Sequence, residues 1–70
     1  MAQALPRDPC EDLRNQQRVH ESLAQGWWDL AQLMQGLGLP QQYVQFHAQY
    51  ETEIAIARNV DRNLIRLGCG

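Results

Sequence analysis

His20 and His47 are the first residues to weigh for chemistry. A metal centre needs three or four converging His, Cys or carboxylate ligands, and a zinc helix carries its second histidine four residues after the first. The run His20-Glu21-Ser22-Leu23-Ala24 ends on alanine there. Both histidines therefore read as packing or rim residues, and no metal is expected. Ser22 is the only serine, inside a helical stretch with nothing to activate it as a nucleophile. The eight acids are spread along the chain and give no paired-carboxylate pattern. Gly36-x-Gly38 lacks the preceding strand, third glycine and lysine of a phosphate loop, and ending a helix accounts for it. Arg58, Arg62 and Arg66 form one row that could meet phosphate, but no aromatic residue interleaves them as a nucleic-acid platform requires. They read as a solvated face set favourably at the negative end of a helix. No catalytic residue, cofactor or small-molecule site is expected.

Cys10 and Cys69 lie near opposite ends of the 70 residues. A disulfide scaffold carries four or more cysteines. The start of the sequence shows no export signal, so the expected compartment is reducing and the expected state is two free thiols. A bridge between them would close nearly the whole chain and contribute roughly 4 kcal/mol in the loop-entropy treatment; the choice stays open at this level.

The six cations are all arginine, and the net charge is -2. A strongly basic footprint for nucleic acid or for a membrane surface is missing. Hydrophobic residues make up 44% with a mean hydropathy of -0.50, between plain disorder and a membrane protein, and no run approaches the roughly 20 apolar residues of a membrane span. One small domain is the ceiling for this length.

The elements that position these residues are helices. Residues 1–8 hold Pro6, Arg7 and Asp8 without periodicity and read as a mobile arm, although Asp8 can also cap a helix starting at Pro9. Pro9 suits the first helical position, and Glu11 and Asp12 suit the first turn. Helix 1 is expected over about 9–35. Leu13, His20, Trp27 and Met34 recur every seventh residue, and Gln16, Leu23, Leu30 and Leu37 form a second row beside them. Val19 and Leu33 flank these rows on one side, Ala24 and Ala31 on the other. Residues 36–40 form the turn, with either glycine able to stop the helix and Pro40 opening the next. Helix 2 is expected over about 40–67, with a main stripe of Tyr43, Phe46, His47, Tyr50, Ile54, Ala57, Val60 or Asp61, and Leu64. The fold class is all-α: an antiparallel helical hairpin with a coiled-coil-like seam, residues 9–70 forming the folded unit.

The expected hairpin packing residues are Leu23, Trp27, Leu30, Met34, Tyr43, Phe46, Tyr50, Ile54, Ala57 and Leu64, with Trp27, Phe46 and Tyr50 as an aromatic cluster midway. Two helices bury one stripe each, which is marginal at this size. Trp28 stands about 100° around the helix from Trp27. Ile56, Val60 and Leu67 form a second apolar line on helix 2. These four residues are the expected protein interface, to be covered by a partner or by a second copy in a four-helix bundle.

The segment Met34-Gln35-Gly36-Leu37-Gly38-Leu39-Pro40-Gln41-Gln42-Tyr43, with Phe46 and Glu51-Thr52-Glu53-Ile54-Ala55-Ile56-Ala57, resembles the YscE/PscE-type small co-chaperones of type III secretion, over roughly residues 23–67. The resemblance implies a helical hairpin with a glycine-containing turn that joins a TPR-like chaperone as a heteromer in the bacterial cytoplasm. The pair keeps the needle subunit, a virulence component, soluble and monomeric before export. It further implies that Tyr43, Phe46, Tyr50, Ile54 and Ala57 pack the hairpin. The alternative is a self-associating four-helix-bundle structural protein without a client, and a homodimer is expected of the chain when alone.

Overall fold

A computed structural model describes residues 8–69. It holds two helices, α1 (Pro9–Gly36) and α2 (Pro40–Arg66), packed antiparallel as a hairpin. The expected arm, residues 1–8, lies outside the described residues except for Asp8. That residue is the N-cap of α1: its carboxylate accepts the Cys10 backbone N–H at 2.9 Å, and Pro9 opens the helix without needing an amide partner.

Both helices end the same way. The Gly38 N–H reaches the Gln35 carbonyl and the Leu39 N–H the Met34 carbonyl; at the end of α2, Gly68 reaches Ile65 and Cys69 reaches Leu64. Each is a Schellman stop, with the glycine in the left-handed region at φ +72°. Of the two turn glycines, Gly38 therefore stops α1, and Gly36 is the helix's last residue. The second stop delivers Cys69 back to the start of α1.

The seam on α1 runs through Leu13, Gln17, His20, Ala24, Trp27, Ala31 and Met34. On α2 it runs through Tyr43, Phe46, Tyr50, Glu53, Ala57, Val60 and Leu64. Both follow alternating three- and four-residue steps. Among the described residues only Ala24, Ala31, Ala57, Val60 and Leu64 are buried, and the other seam residues are half-buried.

This corrects the sequence reading on α1. The row beside Leu13, His20, Trp27 and Met34 is Gln17, Ala24 and Ala31, one residue further on than the leucine row. Leu23 and Leu30, expected to pack the hairpin, are instead 45% and 39% exposed. The reason is volume. Trp27 stacks on Phe46 with ring centroids 5.8 Å apart, and the small residues on either side, Ala24 and Ala31, let the backbones close around that pair. A leucine row there would hold the helices apart.

The cysteines are also corrected. Cys10 and Cys69 are joined in a disulfide, their Cα atoms 5.7 Å apart. The expectation of free thiols rested on compartment; the geometry rests on the hairpin register, which sets both ends of the pair side by side within bridging range. Arg14 Nη2 donates to the Cys69 carbonyl at 2.8 Å and ties the same end.

Candidate functional site

The hairpin has two broad sides, and the helix period decides which residues stand on each. An approximate two-fold axis relates two antiparallel helices, so residues just before the buried row on either helix share one side, and residues just after it share the other. Leu23 and Leu30 precede Ala24 and Ala31, and Ile56 precedes Ala57; they lie on one side. Trp28 follows Trp27, Arg58 follows Ala57 and Ile65 follows Leu64; they lie on the opposite side.

The expected interface of Trp28, Ile56, Val60 and Leu67 is thereby divided among three places. Val60 is 6% exposed and belongs to the seam, because it takes the position that the sequence left open between Val60 and Asp61. Trp28 is on the far side, its indole against Tyr50 at 5.1 Å and His47 at 6.2 Å between ring centroids. Tyr50 was expected to meet Trp27, and it meets Trp28 instead. Ile56 lies on the first side, 37% exposed, and Leu67, the C-cap of α2, continues the seam line beyond Leu64 and is 57% exposed.

That first side is dominated by residues outside the expected set. Val19, Leu23, Leu30, Leu33 and Leu37 of α1 are all exposed, and with Gly26 they repeat at steps of four, three, four, three and four residues. This is a second heptad seam on which no described residue packs. The side is completed by Gln16, Gln42, Gln49 and Asn63. At the start of α1 Asp12 and His20 border this side beside Gln16 and Val19, and His20 Nδ1 holds the Glu53 carboxylate at 2.6 Å; from Leu23 to Leu37 the exposed row itself carries no ionisable residue. Arg14, Arg18, Glu21, Glu51, Arg58, Asp61 and Arg62 occupy the opposite side and the outer edges. Charge is thus segregated, as it is around the centre of a protein interface.

Gly26 is the signal that sequence reasoning passed over. A glycine inside a helix costs about 1 kcal/mol against alanine. Here a Cβ on Gly26 would meet nothing within 4 Å, so the hairpin itself does not require the glycine. Without a side chain at this point, the exposed row has a gap that a second backbone or a large side chain can approach closely.

The remaining candidates stay apart. His47 faces Tyr43, Tyr50 and Trp28 and lies 3.4 Å from Glu51, whereas His20 pairs with Glu53, so each histidine has its own carboxylate. No group of three His, Cys, Asp or Glu among the described residues could hold a metal ion, and no described helix is long and apolar enough to cross a membrane. Ser22 and the Arg58, Arg62 and Arg66 row are exposed. No known protein family, curated protein or solved structure matches the chain.

Proposed function

We propose that this chain is a non-catalytic binding subunit, a hairpin whose uncharged side is covered by another protein. The observation that carries the reading is the vacant heptad seam from Val19 to Leu37 on a molecule with five small or medium side chains in its core. Such a protein gains stability by mass action when a partner binds its folded state alone. Together with the sequence resemblance, this supports a co-chaperone role. The hairpin would pair with a TPR-like chaperone, which presents helices to pack on a helical seam, and the pair would hold a type III secretion needle subunit as a soluble monomer. The role works by stoichiometric burial, and the reading assigns no catalytic residue. Its compartment is the bacterial cytoplasm, where reducing systems act on disulfides, so the Cys10–Cys69 bond makes reductant part of the test.

The test is co-purification of the chain with a TPR-like needle chaperone, with and without reductant. The expected result is an equimolar complex lost on Leu33→Glu and retained on Val44→Glu, a change at a 62% exposed apolar residue off the seam. If the two proteins elute separately at tens of micromolar in both conditions, the co-chaperone reading fails.

A further inference from the structure

We infer that, in the absence of another partner, the exposed seam of α1 is covered by a second copy of this chain, with the two α1 helices antiparallel. The inference deepens the binding-subunit reading by naming the occupant of the same side, and four observations carry it.

The first is spacing. Val19, Leu23, Gly26, Leu30, Leu33 and Leu37 read the same in both directions, so a two-fold axis level with residue 28 sets Val19 opposite Leu37 of the copy, Leu23 opposite Leu33 and Gly26 opposite Leu30. The second is size. The central layers place each Leu30 over the gap at the other copy's Gly26, where no intramolecular atom lies within 4 Å of a Cβ. The smallest branched residue, Val19, meets the C-terminal Leu37. The third is charge. An isologous contact puts like groups near each other, and the six seam positions carry no charge; Asp29, which flanks the row close to the two-fold axis, accepts from Gln25 Nε2 at 2.9 Å. The fourth is area. Six apolar side chains left between 37% and 62% exposed amount to on the order of 500 Å² per copy, against about 800 Å² per partner in a standard interface. The amides of Gln16, Gln42, Gln49 and Asn63 supply a polar rim.

The product is a four-helix bundle of two disulfide-closed hairpins. A heterologous helical partner would compete with the copy for the same seam, so the homodimer is the stored form and the heteromer the engaged one.

Sedimentation equilibrium of the oxidised full chain from about 1 to 500 µM tests this, beside Leu30→Glu, Leu33→Glu and the off-seam control Val44→Glu. Helix content by circular dichroism is checked for each; all three positions are exposed, so the hairpin itself is expected to persist. The expected result is a reversible dimer for the parent chain and for Val44→Glu, with dimer affinity weakened at least ~30-fold in both seam variants. A monomeric parent chain across the range overturns the inference, as does a dimer that survives Leu30→Glu and Leu33→Glu unchanged. A monomer would leave the co-chaperone reading standing, since that reading needs one copy and fails only on co-purification.

Discussion

Reduction of the Cys10–Cys69 bond is the perturbation whose size the fold sets most directly. The bond spans 59 residues of sequence. In the loop-entropy treatment, a closure of that length removes enough freedom from the unfolded chain to stabilise the folded one by about 4 kcal/mol. Against this stands the core: three alanines, Val60 and Leu64. Full burial of a valine or leucine contributes about 1.5–3 kcal/mol each, before the entropy of ordering two long helices is subtracted. A single core in a chain of this size seldom leaves more than about 3–5 kcal/mol. Losing about 4 kcal/mol therefore removes roughly half of the total and leaves the hairpin with only what its core supplies. At about 4–8 °C per kcal/mol, the melting temperature should fall by at least about 15 °C. Far-UV circular dichroism at low micromolar concentration, with thermal and urea melts before and after a phosphine reductant, reads this out. The Cys10→Ser/Cys69→Ser variant should reproduce the reduced curve without added reagent. A reduced chain that melts within about 3 °C of the oxidised one would refute the reasoning, because the seam alone would then be holding the hairpin together.

Three further outcomes are expected from the same packing. Ala31→Leu, an increase in hydrophobicity at a fully buried seam position, should destabilise the hairpin by about 1–3 kcal/mol in urea denaturation, since the Trp27–Phe46 pair leaves no room for the added carbons. Leu64→Ala should cost about 2–3 kcal/mol by the same measurement, through lost burial and the cavity left beside the open end. Val60→Asp should abolish the cooperative melt, whereas Ile56→Asp should leave helix content within a few per cent of the parent, because one side chain is buried and the other 37% exposed. Equal effects of the two aspartates on the melt would mean that the two residues share one environment.

Much of the architecture is legible in the chain alone. Asp8-Pro9 and Pro40 mark helix starts, Gly68 marks one stop and Gly36 or Gly38 the other, and the interval between them is free of proline. These are local signals, each decided by a few neighbouring backbone groups, and a short turn between two long helices leaves antiparallel packing as the simple outcome. Most of the α2 seam is legible too, in Tyr43, Phe46, Tyr50, Ala57 and Leu64, but the expected Ile54 gives way to Glu53, which the His20 contact across the hairpin holds in the seam.

The face of α1 is not legible, and the reason is specific. The row of Leu13, His20, Trp27 and Met34 is flanked by leucines on one side and alanines on the other, about 100° apart around the helix. Hydrophobicity ranks the leucines as core, and by that measure the exposed seam and Gly26 carry no meaning. Packing ranks them differently, because it depends on what stands opposite: Phe46 comes from the other helix and fills the space that leucines would have taken. The disulfide obeys the same logic. Two cysteines 59 positions apart are a compositional fact until the register of the hairpin places their Cα atoms 5.7 Å from each other. The sequence by itself determined the helices, their ends and their antiparallel pairing, since those depend on local backbone chemistry. Only the tertiary structure decided which side is core, which is vacant and whether the ends are joined, since these depend on volumes and distances between residues far apart in the chain.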